Sequence, residues 1–151
     1  MGKIPVLVRP EGPALFDSRV ICRYLDSRAG ARLYPEGNWD VLTLEALGDG
    51  ICDAAILMVY ESRSRPEEAR HAPWVEGQWA KIARALDALE AQWMAVLEGP
   101  LTIGQIAVAC ALSYLDLRLG DRGWREGHTA LADWHARFCE RSTMQDTVPS
   151  L

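Results

Sequence analysis

The first apolar positions of the chain, Ile4, Val6 and Val8, recur at every second residue, the period of a β-strand. Arg9–Pro13 (RPEGP) supplies turn residues and Ala14–Phe16 offers a second short strand, so the opening predicts a β-hairpin. Ser18 then precedes apolar residues at Val20, Ile21, Tyr24 and Leu25, and Gly30 is a stop signal. A helix capped by Ser18 is the expectation, giving β-β-α in the first thirty or so residues.

After the Pro/Gly-bearing segment Leu33–Asp40 (LYPEGNWD) the apolar period changes from 2.0 to 3.6, which predicts a domain boundary near Glu36. A long helix is expected from about Asp40 to Glu61, with Leu44, Leu47, Ile51, Ala55 and Met58 on one face. Gly48 and Gly50 inside it each cost about 1 kcal/mol relative to Ala, tolerable where another helix packs closely. A polar connection, Ser62–Pro73, leads to the cleanest stripe in the chain: Val75, Trp79, Ile82, Leu86, Leu89, Trp93 and Leu97. Thr102, with Gln105 three residues on and Leu101 and Ile106 around them, reads as a capping box with a hydrophobic staple. The helix it opens, Ile103–Leu117, is apolar almost all round and is expected to be central. A last amphipathic helix, Thr129–Arg141, carries Leu131, Trp134 and Phe138, with the tail from Ser142 covering it.

At 151 residues and 49% apolar, the chain can bury a real core. Its net charge of -5, without a basic run, removes the electrostatic basis for nucleic-acid binding. The start of the chain has no signal-peptide pattern, and Ile103–Leu117 falls short of the roughly 18 residues that span a bilayer. No membrane association and a cytoplasmic location are expected. Cys22, Cys52, Cys110 and Cys139 form no C-x-x-C pair and sit within apolar helical patterns, so they read as buried thiols of a reducing compartment. Cys22 in such a setting is no candidate nucleophile.

Candidate chemistry concentrates at the start. A strand proline removes a ladder donor, so Pro5 marks an edge, a bulge or a cis bond. Asp17 and Ser18 stand at a helix start, where free amides and the helix dipole favour a carboxylate ligand, although for Ser18 in isolation plain capping is the stronger reading. The exposed backbone of Ile4 beside that terminus makes a peptide-reading site. Elsewhere, Glu45, Asp49 and Asp53 read as a solvated face. His71, His128 and His135 are too dispersed for a zinc set and are given surface or loop positions, so no metal is expected. Arg63, Arg65 and Arg70 read as a helix end neutralised by Glu67 and Glu68. Trp39 and Trp74, at helix starts, suit a partner surface.

The stretch GKIPVLV (Gly2–Val8), a Pro/Gly turn and LFDSRVICRYLD (Leu15–Asp26) resemble the second half of the thioredoxin-like domain of glutathione S-transferases. LTIGQIAVACALSYLDLR and WREGHTALADWHARFCERSTMQ are similar to the buried helix and the closing segment of that family's all-helical domain, so the resemblance covers the whole chain. The fold it implies is mostly α: a partial thioredoxin-like α/β piece, hairpin plus helix, in residues 1–35, followed by an all-α C-terminal domain in residues 36–151.

The same resemblance implies a glutathione site. Ile4 would offer its main-chain amide and carbonyl to the cysteinyl part, with Pro5 keeping that edge free, and Lys3 would reach the glycyl carboxylate. Asp17 would take the γ-glutamyl ammonium and Ser18 its carboxylate. Thr102 and Gln105 are structural, and Gln105 departs from the Asp usual in the family's box. Glutathione is then a co-substrate rather than a bound cofactor, the partners are glutathione and a small electrophile, and Arg63, Arg65 and Arg70 lie where the electrophile pocket would open. The helix after FDS and the two long helices imply a homodimer.

The family's preceding βαβ unit, which carries the thiol-activating Ser, Cys or Tyr, has no counterpart in these residues, so the catalytic residue is expected in a segment before Met1. The intact form is expected to conjugate glutathione to electrophiles, and the 151 residues alone to be nearly inactive. The rival expectation is a non-catalytic dimerisation or partner-binding module, and the weakest a plain helical scaffold.

Overall fold

The computed structural model describes residues 4–149. The chain divides after Asn38 into two compact units. In the first, the expected hairpin contracts to a single antiparallel bridge between Leu7 and Leu15, closed by Leu7 N–H to Leu15 O at 3.0 Å and Leu15 N–H to Leu7 O at 2.9 Å. Prolines at 5, 10 and 13 offer no backbone donors, and two short strands alone are marginal in water, so no longer ladder forms. Helix α1 follows at Ser18–Ala29 and ends at Gly30, whose φ of 62° is the left-handed C-cap conformation that glycine adopts without penalty. Its N-cap is Asp17, not Ser18: the Asp17 carboxylate accepts from Arg19 N–H, and Ser18 is the first helical residue. Ile21 is buried, whereas Val20 and Leu25 stay half exposed.

The second unit is all helical: α2 (Trp39–Ser64), α3 (Ala72–Ala88), a π-helical turn at Leu89–Trp93 running into α4 (Met94–Leu97), α5 (Ile103–Leu119), α6 (Thr129–Cys139) and the short α7 (Ser142–Gln145). The mostly-α architecture expected from the sequence is thus the one observed. The stripe on α2 through α4 is the core: Leu44, Ile51, Ala55, Met58, Ile82, Leu86, Leu89 and Leu97 are all buried. At about 1.5–3 kcal/mol for each large side chain removed from water, this stripe is what fixes the helices together.

Helices α2 and α5 cross at two glycines. A methyl group on Gly48 would stand 2.7 Å from the Ala107 carbonyl carbon, and one on Gly104 would stand 2.9 Å from Leu44 Cβ. Gly50 meets nothing within 4 Å, so the close packing that excuses a helical glycine applies to Gly48 alone of the pair. With its 3₁₀ extension, α5 is by length and composition alone able to cross a membrane, longer than its sequence pattern indicated. Here Val108, Ala109, Ala111, Leu112 and Leu115 are completely buried as the core of the bundle.

Several polar residues lie deeper than their patterns indicate. Glu45 is buried and Asp49 half-buried, so only Asp53 of that trio matches a solvated face. His128 and His135 are buried rather than on the surface. His128 Nδ1 lies 2.7 Å from the Trp124 carbonyl and Nε2 3.0 Å from Asp87 Oδ1, joining α3 to the start of α6. Arg65 pairs with Glu61 at 3.0 Å rather than with Glu67 or Glu68, and Arg70 donates to the Ser62 carbonyl at 2.8 Å, capping the end of α2. Of the four thiols, Cys110 is exposed and the other three are half-buried, a shallower placement than the apolar pattern suggested.

Gln105, 2% exposed, locks the entry to α5. Its Oε1 accepts from Thr102 N–H at 2.9 Å, completing one half of the capping box, and also contacts the Thr102 hydroxyl. Its Nε2 donates to the carbonyls of Pro100 at 2.7 Å and Val96 at 3.1 Å. A carboxylate cannot make the last two bonds. Gln105→Glu should therefore lower unfolding stability by about 2–3 kcal/mol in urea denaturation, because it sets a buried charge against two carbonyl oxygens. A loss below 0.5 kcal/mol would show that the amide donors carry no weight.

Candidate functional site

The backbone around the Leu7–Leu15 bridge builds the site. Continued two residues along, its antiparallel register would pair Pro5 with Asp17, and there the pairing stops, with α1 beginning at Ser18. Position 5 is where a ladder would next exchange a pair of hydrogen bonds, and proline has no N–H to give. The Asp17 carbonyl instead accepts from Ile21 N–H at 3.0 Å and starts α1. One residue type thus ends the sheet and another starts the helix at the same level, leaving Ile4 95% exposed. The Ile4–Pro5 bond is cis, as is Phe16–Asp17.

The helix terminus is polarised for an anion. Asp17 Oδ1 takes the Arg19 amide at 3.2 Å, and the half-buried Ser18 stands at the first helical position, where the helix dipole presents its positive end. The Asp17 side chain remains exposed, able to meet a cation with whatever part of its charge the amide does not engage. An acceptor for ammonium and a terminus suited to carboxylate therefore sit side by side, the two ends of an α-amino acid. Ile4, Pro5, Asp17 and Ser18 are brought to one end of the bridge; Lys3 lies outside the described residues. Thr102 and Gln105 belong to the second unit and hold α5.

Sequence patterns did not reveal Arg9. Its Nη2 and Nε donate to the Pro13 carbonyl at 2.9 and 3.3 Å, closing the turn, and its guanidinium lies 5.6 Å from the centre of the Tyr24 ring. Gly12, at φ 79°, supplies the left-handed residue this turn needs. Beyond α1, Asp26 Oδ1 accepts from Leu33 N–H at 2.8 Å and Arg23 lies 4.8 Å over the Tyr34 ring, tying the following segment back to the helix. Among the described residues, no three His, Cys, Asp or Glu side chains are grouped to hold a metal ion.

Comparison with known proteins decides which molecules share this arrangement. The family model of the glutathione S-transferase C-terminal domain matches residues 72–137, and that of the N-terminal domain matches residues 1–28. The "Uncharacterized GST-like protein YibF" of Escherichia coli (strain K12) is 38% identical over 158 aligned positions, which cover 99% of this chain and 76% of the relative. The chain belongs to the glutathione S-transferase family. A crystal structure of a glutathione transferase family member from Pseudomonas fluorescens Pf-5 superimposes with a TM-score of 0.96 at 45% identity, covering 99% of this chain and 79% of that one. That structure holds S-(propanoic acid)-glutathione, and a second structure from the same organism, equally similar, holds glutathione. A glutathione S-transferase from Methylobacillus flagellatus KT with glutathione bound matches at TM-score 0.90 and 38% identity, over 99% of this chain and 77% of its own.

The two roles of Asp17, helix cap and charge, separate by mutation. Asp17→Ala should cost about 1 kcal/mol of stability by removing the cap, whereas Asp17→Asn should stay within about 0.5 kcal/mol of the parent, since asparagine caps as well. Equal losses in the two variants, read by chemical denaturation, would mean that the cap is not what Asp17 contributes to folding.

Proposed function

We propose that residues 3–18 form the γ-glutamyl and cysteinyl subsites of a glutathione site. Ile4 pairs through its main chain with the cysteinyl residue, beside Pro5, which withholds a donor. Asp17 accepts the γ-glutamyl ammonium, Ser18 and the α1 terminus take the adjoining carboxylate, and Lys3 meets the glycyl carboxylate. The observation that supports this most is the Leu7–Leu15 bridge with the exposed Ile4 and the Asp17–Ser18 helix start just beyond it, in a family whose solved members hold glutathione. The intact activity is conjugation of glutathione to a small electrophile in the cytoplasm by attack of its thiolate. The side chain that activates the thiol is assigned to none of these 151 residues, so this chain by itself binds glutathione and conjugates it slowly or not at all.

A thermal-shift titration with reduced glutathione tests the binding. Glutathione at tenfold its dissociation constant should add about 1.4 kcal/mol of stability. Asp17→Asn, which retains the cap, should weaken the affinity by about tenfold, the cost of one charge-assisted contact. No shift at millimolar glutathione, or an Asp17→Asn variant that binds as the parent does, would overturn the assignment; rapid conjugation of chlorodinitrobenzene by this chain would overturn the second part.

The chain is further read as a homodimer through α2. Trp39 is 74% exposed, and Leu57, also exposed, stands 18 residues on, which is five helical turns and so the same face, with Tyr60 one turn further. Aromatic and aliphatic side chains of this kind on the exposed face of a helix are the composition of an interface centre. Light scattering at micromolar concentration should give twice 16.8 kDa, and Trp39→Glu with Leu57→Glu should return it to one. A parent protein of monomeric mass would end this reading.

A further inference from the structure

The second unit contains a cavity of about 610 Å³ between α5, the end of α6 and the segment from Met144 to Pro149. That volume lies within the range that takes small organic molecules. Its lining includes the Asp116–Arg125 ion pair and a second polar group in which three side chains from two helices converge. His135 Nε2 lies 3.0 Å from Ser113 Oγ and 3.3 Å from Cys139 Sγ, and Ser113 Oγ lies 3.8 Å from Cys139 Sγ. None of these residues belongs to the glutathione subsites described above.

The surroundings give the imidazole a definite task. His135 is 4% exposed, and its burial, reinforced by the nearby Arg125 charge, lowers its pKa against the opposing pull of Asp116 and the Ala109 backbone. The ring is therefore neutral at pH 7 and has a nitrogen lone pair to offer. Asp116 does not take this task over. Burial alone would raise its carboxyl, but hydrogen bonds from Arg125 and from Trp124 Nε1, the latter at 2.7 Å, hold it below the usual carboxylate range and occupy its oxygens.

The other thiols are placed differently. Cys52 is pushed up to about 11 by burial and by Asp49, with smaller contributions from Cys110 and Asp53, so it is almost entirely protonated at neutral pH. Cys110 lines the same cavity and is more exposed than Cys139. Cys139 combines access to the cavity with an imidazole nitrogen at hydrogen-bond distance and a guanidinium, Arg125, close enough to interact with it electrostatically.

We propose that Ser113, His135 and Cys139 form a thiol-modification site in which Cys139 exchanges with small organic disulfides that enter the cavity. Cys139 S–H passes its proton to His135 Nε2, and the thiolate attacks one sulfur of the incoming disulfide. The new bond joins Cys139 Sγ to that sulfur, the original S–S bond breaks, and the departing thiolate takes the proton back from His135. Cys139 is oxidised by one sulfur valence and the departing sulfur is reduced, with no other reactant needed. Ser113 stands beside the ring, its Oγ 3.0 Å from Nε2, and takes no part in the exchange. The proposal is independent of the glutathione subsites, since hydroxyethyl disulfide, which has no amino-acid groups, should react as glutathione disulfide does.

The test is a time course of intact mass and peptide mapping on the full chain at pH 7 with each disulfide in turn. The first adduct should map to Cys139 with both reagents, ahead of the more exposed Cys110, and Cys139→Ser should abolish it while Cys110→Ser leaves it. His135→Gln should slow the Cys139 adduct by at least about tenfold at an unchanged melting temperature, and Ser113→Ala, which keeps the imidazole, should not slow it. A first adduct on Cys110, Cys52 or Cys22, or a His135→Gln variant that folds and reacts as fast as the parent, would overturn the proposal. Should His135→Gln not fold, the order of modification in the parent decides alone.

Discussion

The backbone contact between α2 and α5 is the constraint on which the larger unit depends. At Gly48 the two helices approach so closely that a single added methyl would enter the Ala107 carbonyl, and one turn of crossing away Gly104 accepts Leu44 and Val41 in the same manner. Helical glycine costs about 1 kcal/mol at each site, and the return is a seam in which Val108, Ala109, Ala111, Leu112 and Leu115 lose all contact with water. Because α5 is held on that side by backbone shape, its opposite face is fixed in orientation. Ser113 and Cys110 therefore meet the cavity at a defined height against His135 and Cys139 of α6.

The ends of the buried helices are then satisfied by side chains that come from far along the chain. Gln105 serves the loop before α5, and Trp134 Nε1 donates to the Leu97 carbonyl at 2.9 Å, closing the end of α4. The start of α6, whose N-cap His128 makes no capping bond with its side chain, receives Glu90: its two oxygens take the Ala130 and Leu131 amides at 3.0 and 2.8 Å. Glu90 stands in the π-helical turn, where the extra residue per turn shifts the following stripe. A carboxylate against a helix N-terminus is favoured twice, by hydrogen bonds and by the dipole. These links share a logic: in each, backbone groups left over at a helix end or in the loop before a helix are met by a polar side chain from another part of the bundle.

The residues that were legible in the sequence are those whose role is local. The stripe from Val75 to Leu97, the stop at Gly30 and the Thr102–Gln105 pairing all operate within a few residues, and propensity and period report them directly. Glu45, His128 and His135 were not legible, because each is buried by partners that only the fold assembles, Asp87 for His128 across forty-one positions and Ser113 for His135 across twenty-two. The same holds for Cys110, whose apolar neighbours in sequence suggested burial and whose side chain the bundle leaves open. Around residues 4–18 the residue types pointed to the right segment, but capping was shifted by one residue, from Ser18 to Asp17. The geometric reason is that Asp17 retains extended backbone and so sits outside the first helical turn, while Ser18 has entered it.

That one-residue shift bears on recognition. With Ser18 as cap, its hydroxyl would be committed to an amide of α1; with Asp17 as cap, one carboxylate oxygen is engaged and the hydroxyl at the first helical position is left for a ligand carboxylate on the proposed reading. The exchange also couples stability to charge at the site, since the group that starts the helix is the group proposed to meet an ammonium. Pro5 completes the arrangement by subtraction: lacking a donor, it stops the ladder at the level where α1 begins, and on the proposed reading the exposed Ile4 edge and the helix terminus are then both left to a ligand. On that reading the site tolerates change in side chains elsewhere far better than change in the proline, the cap or the register that aligns them.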